Sequence, residues 1–569
     1  MAEITSSDAA PGEGASGGAA LRKQQGAVTT LVFLLLLAIA VPARFAMLRE
    51  PLNSDDNSTM TAARAFVRGT HPLQRRLTPT TQGGRQNHHV LRLGLVLPVA
   101  LAIRVFGDGF VAYYAWPFAF SILAIALVFL VLHRLVGNTV AFLACLVQVF
   151  NPLEVERSSV LLTNLPVAAL TVCLVLLLYA IPEERRGWRR DVLIGCIMGL
   201  LLGWSYLLRE SAPAGLLPFF VAGLLLRRYR RAVLVSLVVL FVLVMGEQLL
   251  YMSRGGEFGY RAHNMALDIE NYKPYLYHTD SLSRFVLRYP RVAARFGDML
   301  GFYFYVAILC HVYLLVFSRD APVRILAACG LFDLAMYTFS VFAPLSEGFV
   351  AMPPQTRFVQ TFLVTSVVSV AWTLWHVPKH RIGPLVARFG PRRRLGERLL
   401  KKLPRIRVLT PMASWTFMAA CFLLFFIPCV KGSLNLRKTS MLSISGNYMS
   451  ILLGINAVME ENGLQSVEII GTPRGISAIG MFNWLPPHKR LQWSPHSIEE
   501  CVELIEKDSA SLFVTDFARL RSALPYVRNV EARAERAEEI DRLEKVARER
   551  MEPVRSNGFF LLAKSRALK

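Results

Sequence analysis

TTLVFLLLLAIAVPARF, residues 29–45, is followed after a short connection by NSDDNSTMTAARAFVRG, residues 53–69, and these two stretches decide how the chain is read. The first is nearly devoid of charge and close to the roughly 20 residues a helix needs to cross hydrocarbon. No small-residue cleavage site and polar mature domain follow it, so it reads as a retained anchor rather than a signal peptide. The second places two adjacent carboxylates, Asp55 and Asp56, directly beyond that anchor.

Working outward, further apolar runs lie at 111–132, 137–151, 158–181, 191–208, 212–226, 231–252, 298–318, 322–343, 357–377 and 411–430. With the anchor they predict a mainly α, polytopic membrane protein of about eleven transmembrane helices. The composition agrees: 54% of 569 residues are hydrophobic, 18% are charged, and mean hydropathy is +0.41. The net charge of +23 in so apolar a chain points to lipid headgroups or anionic substrates and not to nucleic acid. The cysteines, among them Cys145, Cys173, Cys196 and Cys329, lack CxxC spacing and suggest neither a zinc site nor a disulfide framework.

Leu91 to Phe106 is short and carries Arg92 and Arg104; counting it as a crossing would reverse every later loop. Left along the interface as a juxtamembrane helix, it lets one orientation put all the short basic clusters in the cytoplasm. These are Arg22 and Lys23, Arg185 to Arg190, Arg227 to Arg231, and the loop 378–410. The long loops 48–110 and 253–297 and the region 431–569 then fall outside. Both long loops are themselves basic, with Arg64, Arg68, Arg75, Arg76 and Arg85 in one and Arg284, Arg288, Arg291 and Arg295 in the other. Long loops weigh less in the orientation rule.

Residues 1–26, rich in Gly, Ala and Ser, read as a disordered cytoplasmic tail. Residues 27–430 read as the membrane domain, with 48–110 as its first extracytoplasmic loop. Beyond 431, strand-like runs Ser466 to Ile470, Ser511 to Thr515 and Phe559 to Ala563 alternate with helical stretches Ile498 to Glu506 and Ala532 to Arg550, which predicts a soluble α/β domain. Its GTPRG, residues 471–475, lacks the spacing of a phosphate loop and reads as a plain turn.

Adjacent acids after a span are explained equally by a helix N-terminus, where carboxylates accept from free backbone amides. The chemical alternative makes one carboxylate a general base and the other its orienting neighbour or a cation ligand. For outer arginines the plain alternative is snorkelling to headgroups. Glu247 and Asp333, inside apolar runs, are either functional or paired with a neighbouring helix.

The order of several motifs resembles the GT-C superfamily of multispanning glycosyltransferases, in the branch of protein O-mannosyltransferases and lipid A aminoarabinose transferases. Asp55, Asp56, Ala63 and Gly69 follow that family's pattern after the first span, with Ser58 and Thr59 where a tyrosine is usual. His88 and His89 lead through LRLGLVLPVALAIRVFG to Gly107. NPLEVERSSVLLTNLPVAAL, residues 151–170, is similar to a later motif, with Asn164 in place of an acid. WSYLLRESAPAGLLPFF supplies Arg209 and Glu210, and MPPQTRFVQTFL supplies Arg357, with Phe358 replacing tyrosine.

The resemblance implies inverting transfer of a sugar from a polyprenyl-phosphate donor to a lipid, polysaccharide or protein acceptor at the extracytoplasmic face of the cell membrane. Asp55 would be the general base, with Asp56 beside it. Arg357, then Arg209 and His88 or His89, would hold the donor phosphate. No organic cofactor is implied; a divalent cation held by the histidine pair with Asp56 stays open as an alternative. A ligase using a lipid diphosphate, or a non-enzymatic carrier of lipid-linked sugars, would also need many spans and basic contacts.

Overall fold

The computed structural model describes residues 14–48, 54–80, 89–181, 188–272, 276–295, 300–341, 346, 348–351, 359–377, 419–420, 422–431, 433, 447–471, 490–522, 530–556 and 560–566. The first helix, α1 (Gly14–Ala46), takes in part of the segment read as a tail. It is followed by α2 (Ser54–Val67), a short 3-10 turn at Pro72–Gln74, and α3 (Leu93–Phe106). Next come α4 (Phe110–Val136), α5 (Asn138–Val149), α6 (Pro152–Arg157), α7 (Asn164–Tyr179) and α8 (Trp188–Leu208). The apolar run 212–226, expected as one span, is broken into α9 (Ala212–Gly215) and α10 (Leu217–Leu225), each with a proline in its first turn. A proline is tolerated there because its missing N–H has no intrahelical partner to lose.

The bundle continues with α11 (Arg230–Ser253), α12 (Tyr260–Tyr272), α13 (Leu282–Val286), α14 (Arg288–Arg295), α15 (Leu300–Phe317), α16 (Ala321–Phe339), α17 (Gln360–Val377) and α18 (Phe422–Lys431). Two short strands, β1 (Tyr277–Thr279) and β2 (Phe349–Ala351), pair antiparallel and tie the second long loop to the approach to α17.

Five helical segments among the described residues have the length and apolarity to cross a membrane: Gly26–Ala46, Val111–Val136, Trp188–Leu208, Arg230–Ser253 and Ala321–Phe339. Shorter apolar helices, including α5, α7 and most of α15, pack among them around one large apolar core. The protein is a multi-pass membrane protein. α3, 14 residues long, packs against α2 and α4 and sits with its first turn on the end of α8.

Lipid offers helices no hydrophobic incentive to associate, so close packing must come from shape. Along α8, Gly195, Gly199 and Gly203 recur every four residues and face α11. A Cβ on Gly199 would lie 2.5 Å from Val239 and 2.9 Å from the carbonyl of Ser236, so only glycine lets the two backbones approach this far.

Beyond the bundle lie α19 (Asn447–Glu461), β3 (Ser466–Gly471), β4 (Arg490–Pro495), α20 (Ile498–Glu506), β5 (Leu512–Asp516), α21 (Phe517–Ser522), α22 (Val530–Arg550), β6 (Met551–Ser556) and β7 (Phe560–Ser565). The strands form a five-stranded mixed sheet in the order β4-β3-β5-β7-β6, parallel among β4, β3 and β5 and antiparallel beyond. Alternation along the strands splits its side chains between two cores. Phe513, Leu561 and Ala563 join α20 and α22. Leu512, Val514 and Leu562 join α19 in a cluster that continues into Met60, Ala62 and Ala63 of α2 and the apolar face of α3. The helix that carries the acidic pair is therefore held on the same apolar cluster as the α/β domain.

Candidate functional site

The helix that opens with Ser54 carries Asp55 and Asp56 in its first turn, as both readings of the acidic pair require. The side chain of Asp55 lies outside the described residues. Asp56 is buried, and the equally buried phenol of Tyr113 on α4 donates to its Oδ2 at 2.8 Å. Farther along α2, Arg64 forms an ion pair of 2.7 Å with Asp108 in the turn between α3 and α4. A long-range bond near each end thus fixes how α2 lies against the bundle.

Of the two histidines, His88 lies outside the described residues. His89 Nδ1 accepts from an Arg92 guanidinium N–H at 3.0 Å, so that imidazole nitrogen carries no proton in this arrangement. His71, not singled out by the sequence reading, organises the same segment. Its Nδ1 accepts from the Leu73 amide at 3.2 Å and its Nε2 donates to the Val90 carbonyl at 3.2 Å. Burial holds this imidazole below the usual histidine range, which preserves the neutral tautomer that the cap needs.

Arg92 leads into a buried ion-pair chain. Its guanidinium lies 3.7 Å from Glu210, whose other oxygen accepts from Arg261 Nε at 2.7 Å. Arg261 Nη1 donates to Glu247 at 2.9 Å, and its Nη2 donates to the carbonyls of Tyr206 and Leu207. Every nitrogen of this fully buried guanidinium is used. Burial pushes Glu210 upward, but Arg92 and Arg261 together outweigh it and hold the carboxyl down at about 2. Glu247, suspect from its place in an apolar run, is paired: it accepts from Arg261 and from Tyr251.

Arg209 stacks over the Tyr337 ring at 4.7 Å and lies within electrostatic reach of Asp333, which accepts from the Thr361 hydroxyl. Arg288, from the basic second loop, is buried and donates to the carbonyls of Tyr337 and Thr338, closing the C-terminal end of α16. Arg357 and Phe358 lie outside the described residues. Asn164, which stands where the family motif carries an acid, opens α7 and is buried.

A further cluster escaped the sequence reading. Arg44, in the last turn of α1, is wholly buried; it donates to the Gln148 carbonyl at 2.9 Å and stands 3.7 Å from Glu154 of α6, between α5 and α7. Gln148 Nε2 donates to Glu154 at 2.9 Å. Burial pushes the Glu154 carboxyl up to about 7 against the pull of Arg44 and Gln148. Arg44 Nε and Nη1, Gln148 Oε1 and Glu154 Oε1 are buried without a hydrogen-bond partner among the described residues. Buried polar atoms are normally satisfied, so this cluster keeps bonding capacity.

All these groups lie at one end of the bundle, where α1 ends and α2 begins; the short connections Arg227 to Arg231 and Arg319 to Arg324 lie at the other. Among the described residues no three His, Cys, Asp or Glu side chains gather in a way that could hold a metal ion.

The chain matches no protein-family model and no curated protein sequence. Solved structures do match. ArnT from Cupriavidus metallidurans bound to undecaprenyl phosphate aligns with 93% of this chain and 97% of its own, at 11% identity and a TM-score of 0.53. The apo state of that protein aligns with 94% and 98%, at 12% identity and a TM-score of 0.50. The oligosaccharyltransferase AglB from Archaeoglobus fulgidus, in complex with an inhibitory peptide and a dolichol-phosphate, aligns with 94% of this chain and 74% of its own, at 15% identity and a TM-score of 0.47. The chain has the fold of the GT-C superfamily of membrane glycosyltransferases, the superfamily its motif order resembles.

Proposed function

We propose that the protein is a membrane glycosyltransferase that moves a sugar, with inversion, from a polyprenyl-phosphate donor to an extracytoplasmic lipid, polysaccharide or protein acceptor. The observation that carries this reading is an acidic pair opening α2, just past the first span, in a chain that shares this fold along nearly its whole length. The basic short connections at the opposite end of the bundle favour a cytoplasmic location there and an extracytoplasmic one for α2.

In the proposed step the acceptor oxygen attacks the anomeric carbon from the face opposite the phosphate. Asp55 takes the acceptor proton as the new carbon–oxygen bond forms, and the bond to the phosphate oxygen breaks, its electron pair leaving with polyprenyl phosphate. Asp56, held by Tyr113, fixes the first turn of α2 and so the position of its neighbour. Positive charge beside the leaving phosphate lowers the barrier. Arg357 is the first candidate for that charge, with Arg209 and His88 or His89 next.

The test is to reconstitute the full chain with short-chain polyprenyl-phosphate sugars and candidate acceptors, with and without a chelator, and to follow release of polyprenyl phosphate. Acceptor-dependent release is the expected result. Turnover of only diphosphate-linked glycans would replace this reading by a ligase; translocation of lipid-linked sugar without bond cleavage would replace it by a carrier.

A further inference from the structure

Some of the arginines at the α2 end of the bundle are engaged and others are exposed. Arg44, Arg64, Arg92, Arg261 and Arg288 are engaged with carboxylates or backbone carbonyls. Arg75, Arg76 and Arg254 are exposed, and their guanidiniums have no hydrogen-bond or ion-pair partner among the described residues.

The fold brings Arg76 and Arg254 together from the first long loop and the end of α11, and Arg75 precedes Arg76 in the chain. The Leu77 amide donates to the Arg254 carbonyl at 2.7 Å. Gly255 follows with φ +91°, and a Cβ there would lie 3.0 Å from the Leu77 carbonyl and 3.3 Å from Arg76 Cγ. Glycine is required both for that left-handed backbone and for the closeness of the two segments. Beneath them, Leu73, Leu77, Tyr251 and Tyr260 form a small buried core, so the corner is built and not a chance meeting of loops. The acid nearest the corner, Glu257, is already engaged: it accepts from the Thr80 hydroxyl and pairs with His263 at 2.7 Å.

The apolar surface leading to this corner completes the picture. α11 exposes an apolar stripe through Val238, Phe241, Val242, Leu249 and Met252, two residues before Arg254 in the chain. An apolar stripe one helix long, capped by unpaired guanidiniums at the membrane boundary, matches an acyl chain joined to an anionic phosphate.

We propose that Arg75, Arg76 and Arg254, at the top of the exposed face of α11, form a binding site for the headgroup of an anionic phospholipid in the leaflet on the α2 side. The site is separate from the acidic pair and does not depend on the glycosyltransferase reading. Lipid phosphate would sit among the three guanidiniums, its acyl chain along Leu249 and Met252.

The test uses the full chain in neutral detergent and titrates phosphatidylglycerol, phosphatidylcholine and glycerol 1-phosphate while the thermal midpoint is recorded; apparent affinity follows from the shift. Phosphatidylglycerol should raise the midpoint, with little effect from the other two. The triple variant R75Q/R76Q/R254Q should bind it about a hundredfold more weakly, at about fivefold per arginine. Equal affinity in wild type and triple variant would overturn the proposal, as would equal binding of phosphatidylcholine. Equal binding of glycerol 1-phosphate would make it a site for soluble anions and overturn it too. Should the glutamine variant fail to fold, R75K/R76K/R254K, which keeps the charge, decides: retained phosphatidylglycerol binding supports the site and its loss refutes it.

Discussion

At the α2 end of the bundle Glu154 is buried and Glu210 is partly buried, and both face arginine, yet their carboxyls are driven in opposite directions. Glu210 lies between Arg92 and Arg261 and is held at about 2. Glu154 has Arg44 alone at 3.7 Å, and burial raises it to about 7. Two cations outweigh the cost of removing a carboxylate from water; one at that distance does not. The Arg261 cluster is therefore scaffolding that locks α3, α8, α11 and α12 together. The Arg44 cluster joins α1 to α6, between α5 and α7, through a group that titrates near neutrality.

The largest effect expected from this contrast is on Arg261. Replacing it by methionine leaves Glu210 and Glu247 facing each other without their shared cation and should cost about 3–5 kcal/mol, read as a collapse of the thermal midpoint in detergent. A midpoint within a degree or two of wild type would show that the network is not holding the helices.

The pH dependence comes next, and its sign differs between the two acids. Glu210, depressed, contributes stability above its ordinary range, lost only as pH falls through about 4 towards 2. Glu154, raised, contributes stability below about 4.5 that is lost as pH rises through about 7. Wild type should thus lose on the order of 1–3 kcal/mol between pH 5 and 8, and Glu154→Gln should flatten that slope. A slope unchanged in the variant would assign it elsewhere.

Arg92→Leu converts the two-cation environment of Glu210 into a one-cation one and brings it closer to that of Glu154. It should cost about 1 kcal/mol and make the midpoint begin to fall at a higher pH on acidification. Smallest is Tyr113→Phe, which removes a neutral donor from another buried acid, Asp56. A loss of about 0.5–1 kcal/mol in stability is expected, with turnover reduced and the Michaelis constant little changed.

Much of the architecture is legible in the sequence because hydrophobic length and periodicity are local signals. The first apolar helix, the helix α3, the acidic pair at the start of α2, and β3, β5, β7, α20 and most of α22 all announce themselves this way. β4 and β6 do not: β6 has few apolar residues, contains Pro553, and tolerates it as a bulged edge strand. The break between α9 and α10 hides in an unbroken apolar run, where Pro213 and Pro218 were its only signal.

The charge networks are least legible, since their partners are far apart in sequence. Arg44 with Glu154, Asp56 with Tyr113, and Glu210 with Arg261 are joined only by folding. Arg209 and Glu210, adjacent in one motif, separate into two surroundings: Arg209 faces Tyr337 and Asp333, while Glu210 belongs to the scaffold.

The central claim is that the acidic pair of α2 performs the chemistry while the buried ion pairs hold the frame. It is tested most directly by measuring polyprenyl-phosphate release from a polyprenyl-phosphate sugar by the reconstituted wild type and by Asp55→Asn, with the thermal midpoint of each. Release lowered by about 10²- to 10⁴-fold at an unchanged midpoint is the expected result. Release at the wild-type rate from Asp55→Asn would contradict it.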